Sequence, residues 1–203
     1  MSTDQITDTD DRTRRRRKLL ALGAGGLVCG VGAVVTLAAW TDTERSNGDF
    51  SAGQFDMVAS ADDTTFSSNP ASPGLDLVFD ASGALMSPGA TSYAPYAIQL
   101  TADSDYAADV VLTSSTGTGT VAEDLTYTIL RTDTFGCTAA TTGTALVTDQ
   151  AATGTPGAAL FSLDAVTTPA YLCVQVTAGE SLTQGATGSI EWTLTGTATD
   201  QLG

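Results

Sequence analysis

The chain has 203 residues and a formal net charge of -15, from 8 Lys+Arg against 23 Asp+Glu, with no histidine anywhere. Beyond residue 20 only Arg45 and Arg131 are basic, so the body repels phosphates and anionic headgroups. That excludes nucleic acid as a partner and leaves membrane contact to the N-terminal segment alone. Such a length holds one ordinary domain behind an export segment.

Residues 1–18 begin polar and rich in Asp and Thr, without apolar periodicity, and predict disorder. They end in a basic block, Arg14-Arg15-Arg16-Arg17-Lys18, which the positive-inside bias holds in the cytoplasm. Leu19 to Trp40 follows without a charge and is long enough, as a helix, to span a hydrocarbon core of about 30 Å. Small residues close the run. Thr36-Leu37-Ala38 supplies the −3 and −1 side chains of a cut between Ala38 and Ala39, which makes residues 19–38 the apolar helix of a signal peptide. Five glycines within the run make a poor permanent anchor, but an uncleaved, membrane-anchored chain stays open. The route stays open too, because Arg16-Arg17-Lys18-Leu19-Leu20 loosely matches a twin-arginine signal. Cys29 follows Gly26-Leu27-Val28 and lacks the small residue expected ahead of a lipidated cysteine.

The junction that follows is more specific. Ala38-Ala39-Trp40-Thr41-Asp42 precedes a short polar spacer and then Phe50-Ser51-Ala52-Gly53-Gln54-Phe55-Asp56-Met57. This pattern resembles the start of TasA/camelysin-family proteins, which carry the signal peptide cut by the SipW type of signal peptidase. Leu85-Met86-Ser87-Pro88-Gly89, Tyr171-Leu172-Cys173-Val174 and the stretch from Gln184 to Trp192 resemble later parts of the family. The resemblance implies a jelly-roll sandwich, secretion to the cell surface or biofilm matrix, and assembly into fibres. The body departs from fibre-forming members in being shorter, poor in lysine and equipped with a cysteine pair.

Residues 39–203 predict an all-β domain on their own evidence. Phe55 and Met57 alternate with polar residues, as do Leu75, Leu77 and Phe79. Leu125, Tyr127 and Ile129 do the same, then Leu172, Val174 and Val176, then Ile190, Trp192 and Leu194. Side chains alternate faces along a strand, so each run offers one apolar face. Tyr96 to Leu100, Val110 to Thr113 and Leu160 to Leu163 are shorter strand candidates. Seven or eight strands separated by Gly-, Pro- and Asp-rich turns predict a two-sheet β-sandwich. Thr116-Gly117-Thr118-Gly119 predicts a flexible hairpin loop, since no lysine follows to make it a phosphate cradle.

Cys137 and Cys173 are the cysteines left after export. An even pair in an exported chain predicts a disulfide pinning the Phe135–Gly143 loop to the penultimate strand, and two separate buried thiols are the alternative. Catalysis is not expected. Histidine, the commonest general base, is missing, Lys18 is the only lysine, and no G-x-S-x-G elbow occurs. No cofactor is expected either, calcium being the one metal with compositional support. Asp103, Asp105 and Asp109 offer hard oxygen ligands, although the glycine and late glutamate of an EF-hand loop are lacking. A solvated acidic loop is the plainer reading.

Two functions are compatible with these observations. In one, the domain is a secreted structural protein that forms a homopolymer. Signal peptidase then frees the segment from Ala39 to Met57 to pair with a neighbour's sheet, with Phe50, Phe55 and Met57 as anchors. The same segment is alternatively the first strand of its own domain. In the other, the domain is a secreted monomeric binding module for a surface partner, a carbohydrate or calcium.

Overall fold

The computed structural model describes residues 45–48, 51–80 and 85–203. The apolar run 19–40, the Ala38/Ala39 junction and Phe50 lie outside the described residues. Among those that are described, no helix is long and apolar enough to cross a membrane. The chain divides into the units Met1–Phe50 and Ser51–Gly203, and every element below belongs to the second.

Alternation in the sequence becomes burial in eight strands: β1 (Met57–Ser60), β2 (Thr91–Leu100), β3 (Tyr106–Gly119), β4 (Leu125–Thr132), β5 (Thr144–Ala151), β6 (Ala158–Leu163), β7 (Ala170–Ala178) and β8 (Gly188–Gln201). One 3₁₀ turn, Ala122–Asp124, precedes β4. The fold is all-β, with two antiparallel sheets. A five-stranded sheet runs β1-β2-β7-β4-β5 and a three-stranded sheet runs β6-β3-β8.

The core lies between them. Ala170, Leu172, Val174, Val176 and Ala178 of β7 share one face with Leu125, Tyr127 and Ile129 of β4 and with Ile98 and Leu100 of β2, all buried. Val110 and Leu112 of β3 and Leu160 and Leu163 of β6 oppose them. Two contacts clasp the layers. Trp192 of β8 meets Tyr127 of β4 edge-on at 5.6 Å, and the Arg131 guanidinium of β4 lies 4.7 Å above the Phe161 ring of β6. Such aromatic and cation–π contacts add to burial because ring faces are electron-rich.

The outer face of the five-stranded sheet is also partly covered. Cys173 is fully buried there, with its sulfur at bonding distance from Cys137 and the two Cα atoms 4.9 Å apart. Phe135 packs edge-on against Tyr171 at 6.0 Å. The expected pinning of the Phe135–Gly143 loop to the penultimate strand is therefore present.

Three expectations need correction. Leu75 to Asp80 is not a strand. Its side chains do alternate, with Leu75, Leu77 and Phe79 half-buried and Asp76, Val78 and Asp80 exposed, but no ladder forms along it. The Asp80 amide donates to the Tyr93 carbonyl at 3.0 Å. Alternation specifies a pleat, not a partner. Thr116 to Gly119 is not a loop, because β3 runs through it, paired with Ser189 to Glu191 at Thr116 to Thr118. Only Gly119 leaves the extended region, at φ 80°, where a Cβ would strike the Thr187 carbonyl. β5 was not expected. It carries one buried side chain, Val147, too little apolar content to signal a strand.

Candidate functional site

The sheets do not close at the side bounded by β1 and β8. β1 is four residues long and pairs in register from Met57↔Leu100 to Ser60↔Ala97. β8 is fourteen residues long and, among the described residues, pairs with β3 alone. Between these edges opens a cleft of about 790 Å³ that reaches into the core. Its floor is Ile98, Ile129, Leu172 and Val174; one wall is Ile190, Trp192 and Leu194 of β8. The extended 67–80 segment runs over it and contributes Leu77 and Phe79, the latter 6.4 Å from Trp192 between ring centres. Ser72 donates to the Glu191 carboxylate at 2.7 Å and ties this segment to β8.

Polar and apolar groups both line the cleft, the polar ones including Ser67, Ser68, Asn69, Ser189, Thr193 and Thr195. Ser92 at its wall donates to Asp80 at 2.7 Å. Tyr96 lines the cleft, and burial pushes its phenol up to about 12, because losing water penalises the phenolate. At physiological pH it is therefore a neutral hydroxyl. Among the described residues of the lining the charged ones are Asp56, Asp76 and Glu191, without a lysine or arginine. Burial likewise raises Tyr127, partly offset by the neighbouring Ser115 hydroxyl, and the Trp192 indole nitrogen is buried without a partner.

Two of the three residues expected to anchor assembly, Phe55 and Met57, sit at one end of this cleft. Met57 opens β1 within its own sheet, and Phe55, 36% exposed, lies in the lead-in. Both approach β8 at Gly196. A Cβ there would meet the Met57 sulfur and the Phe55 ring at 3.2 Å, so the missing side chain is what lets the lead-in come close.

The acidic 103–109 region holds the same lead-in. The Gln54 amide donates to Asp105 Oδ2 at 2.6 Å, and the Asp105 amide donates to the Gln54 carbonyl at 2.8 Å. Ser104, buried, donates to the Asp56 carbonyl at 3.0 Å and accepts from the Asp56 amide at 3.1 Å. Asp109 instead accepts from Ser162 at 2.6 Å, across β3 and β6, and Asp103 is exposed on the turn. The three aspartates are not brought together. Among the described residues no group of three His, Cys, Asp or Glu side chains converges.

A second acidic loop is strongly organised. Asp62 Oδ1 accepts from the Thr65 amide at 2.7 Å, the Thr64 amide at 2.9 Å and the Ser60 hydroxyl at 2.8 Å. Those donors hold its carboxyl well below the usual range. The neighbouring Asp63 accepts from the Tyr171 hydroxyl at 3.4 Å. Burial, then the Asp63 charge, raises that phenol.

Sequence reading did not foresee the cleft. Tyr96, Phe79 and Trp192 were legible as strand residues, but their convergence depends on β8 being an edge and on 75–80 failing to pair. The chain matches no family model and no curated protein.

Proposed function

We propose that the chain is an exported, non-enzymatic structural protein of the cell surface or biofilm matrix, related to the TasA/camelysin family, that assembles by strand addition. The observation that carries this reading is the open edge of β8. The orders 2-7-4-5 and 6-3-8 are those of an eight-stranded jelly roll in which the first strand would lie beside β8. Here β1 pairs with β2 instead. A fourteen-residue edge with two acids and no lysine or proline lacks the devices that normally blunt strand edges.

The residues around β1 narrow the donor. Gln54 to Ser60 is already engaged by Asp105, Ser104 and β2 within the same domain. The donated strand is therefore the part ahead of it, from Ala39 through Phe50, with Phe50 as the apolar anchor. Phe55 and Met57 serve as the base from which it leaves. Main-chain hydrogen bonds to β8 supply affinity, and repeated head-to-tail addition yields a filament.

Negative-stain microscopy of the purified protein tests this. Filaments are expected from the wild type, and deletion of residues 39–49 should leave separate particles. Wild-type protein that stays monodisperse at high concentration would refute the assembly. N-terminal sequencing of secreted protein should find Ala39 first, while an intact Met1 would make the protein a membrane-anchored one. The secreted binding module remains the second reading, and the cleft is the observation that favours it.

A further inference from the structure

We propose that the cleft between the sheets binds an uncharged, long-chain lipid-like molecule carrying one carbonyl, ester or ether oxygen, with the Tyr96 hydroxyl as its hydrogen-bond donor. This goes beyond assembly: the ligand lies against the inner faces of the sheets, whereas the donated strand would hydrogen-bond the free backbone edge of β8 that borders the same opening.

The size and chemistry of the cleft lead to this class of molecule. A volume of about 790 Å³ falls inside the roughly 300–1,000 Å³ range of small-molecule sites. The floor is aliphatic, from Ile98, Ile129, Leu172 and Val174, with Met57 at the mouth. Two facing sheets leave a flat slot, and a flexible chain fills a flat aliphatic slot better than a bulky rigid ring system does. Methionine at the mouth adapts to such a chain without a fixed shape.

The polar groups narrow the class further. Ser92 is committed to Asp80. Tyr96, whose hydroxyl makes no hydrogen bond to any described residue, and Trp192, whose indole nitrogen is unpartnered, both line the cleft, so these two donors are left to meet a ligand. A neutral phenol and an indole N–H both donate to an uncharged oxygen acceptor, and the indole nitrogen, buried and unmatched, costs stability until one arrives. Asp56, Asp76 and Glu191, with no cation among the described lining residues, disfavour a carboxylate or phosphate headgroup, because like charges repel across a low-dielectric opening. Fatty acids and phospholipid headgroups are thereby separated from neutral esters, ethers and ketones.

Photo-crosslinking of the full chain in lipid nanodiscs tests the assignment. The probe is the methyl ester of a diazirine-bearing ten-carbon acid, with the free acid as its charged counterpart. Labelling by the ester should map to peptides containing Ile98, Leu172 or Trp192 and exceed labelling by the acid roughly tenfold. Tyr96→Phe should weaken ester labelling roughly two- to tenfold, the size of one hydrogen bond. Val174→Trp, which fills the floor, should abolish it, while thermal melts report whether each variant is folded. Ester and acid labelling equally, labelling confined to residues 19–40, or a folded Val174→Trp that labels as wild type would each overturn the proposal. Filament formation is scored separately by microscopy, so loss of one property is not mistaken for loss of the other.

Discussion

β7 and β8 carry nearly the same apolar signature and meet opposite fates. Leu172, Val174 and Val176 of β7 are buried, and Cys173 on the other face is buried as well. Ile190, Trp192 and Leu194 of β8 are only half-buried, and no residue of β8 is fully buried. The difference is one of position. β7 is flanked by β2 and β4 and covered outside by the Cys137 loop, whereas β8 has one neighbour among the described residues and an open cleft beside it. Alternating side chains say which face a strand offers; the number of neighbours decides how much of the offer is used.

Truncations separate the two strands most sharply. Leu172→Ala should cost about 2–5 kcal/mol in chemical denaturation, the usual range for emptying a packed site. Leu194→Ala should cost no more than about 1–2 kcal/mol, since little cavity forms beside an existing opening. Equal costs would mean that β8 is packed as tightly as β7. Next comes the cover over β7. Cys137→Ala with Cys173→Ala should lower stability by roughly 3–4 kcal/mol on the chain-entropy account of a 36-residue loop. Hydrogen exchange should then rise in β7 well before it changes in β8.

Alkaline pH probes the cleft between them. The Tyr96 phenol is raised to about 12 in the fold from an unfolded value near 10. Stability is therefore fully present below about pH 10 and is lost as pH rises toward 12, by up to roughly 2–3 kcal/mol. Tyr96→Phe should flatten most of that loss in a pH series of melting temperatures; an unchanged slope would place the phenol in water. The smallest effect is expected at the closed side. Arg131→Ala removes the contact over Phe161 and should cost about 0.5–2 kcal/mol. It should leave the β8 edge and filament formation untouched.

Much of the sheet content was legible because it rests on local alternation. Leu125 to Ile129 and Leu172 to Val176 have strict period two and became β4 and β7. Leu160 to Leu163 lies within β6. The disulfide was legible from the pair of cysteines that lies beyond the export segment. Pairing was not legible. Leu75, Leu77 and Phe79 alternate as cleanly as β4, yet the segment spans the cleft without joining a ladder, because partner choice is a long-range property. β5 escaped notice for the opposite reason: its partner β4 supplies the ordering that its own Val147 does not. The cleft followed from both failures together, and from Gly196, whose role depends on Phe55 and Met57 arriving from far away in sequence. The neutral balance of the first 50 residues, which hold seven of the eight basic and seven of the 23 acidic side chains, also sets the two ends of the chain apart. The whole formal charge of -15 falls on 51–203.

The bond between Cys137 and Cys173 also sets how the domain responds to force. β5 and β6 both lie inside the 36-residue covalent loop, so tension applied through the two ends of the chain bypasses them. At roughly 3.3–3.6 Å per residue, about 120 Å of chain is withheld from stretching. Single-molecule pulling should find a contour-length gain shorter by that amount until a reductant is added. A surface layer built from such units would yield by a short, fixed extension and then stiffen.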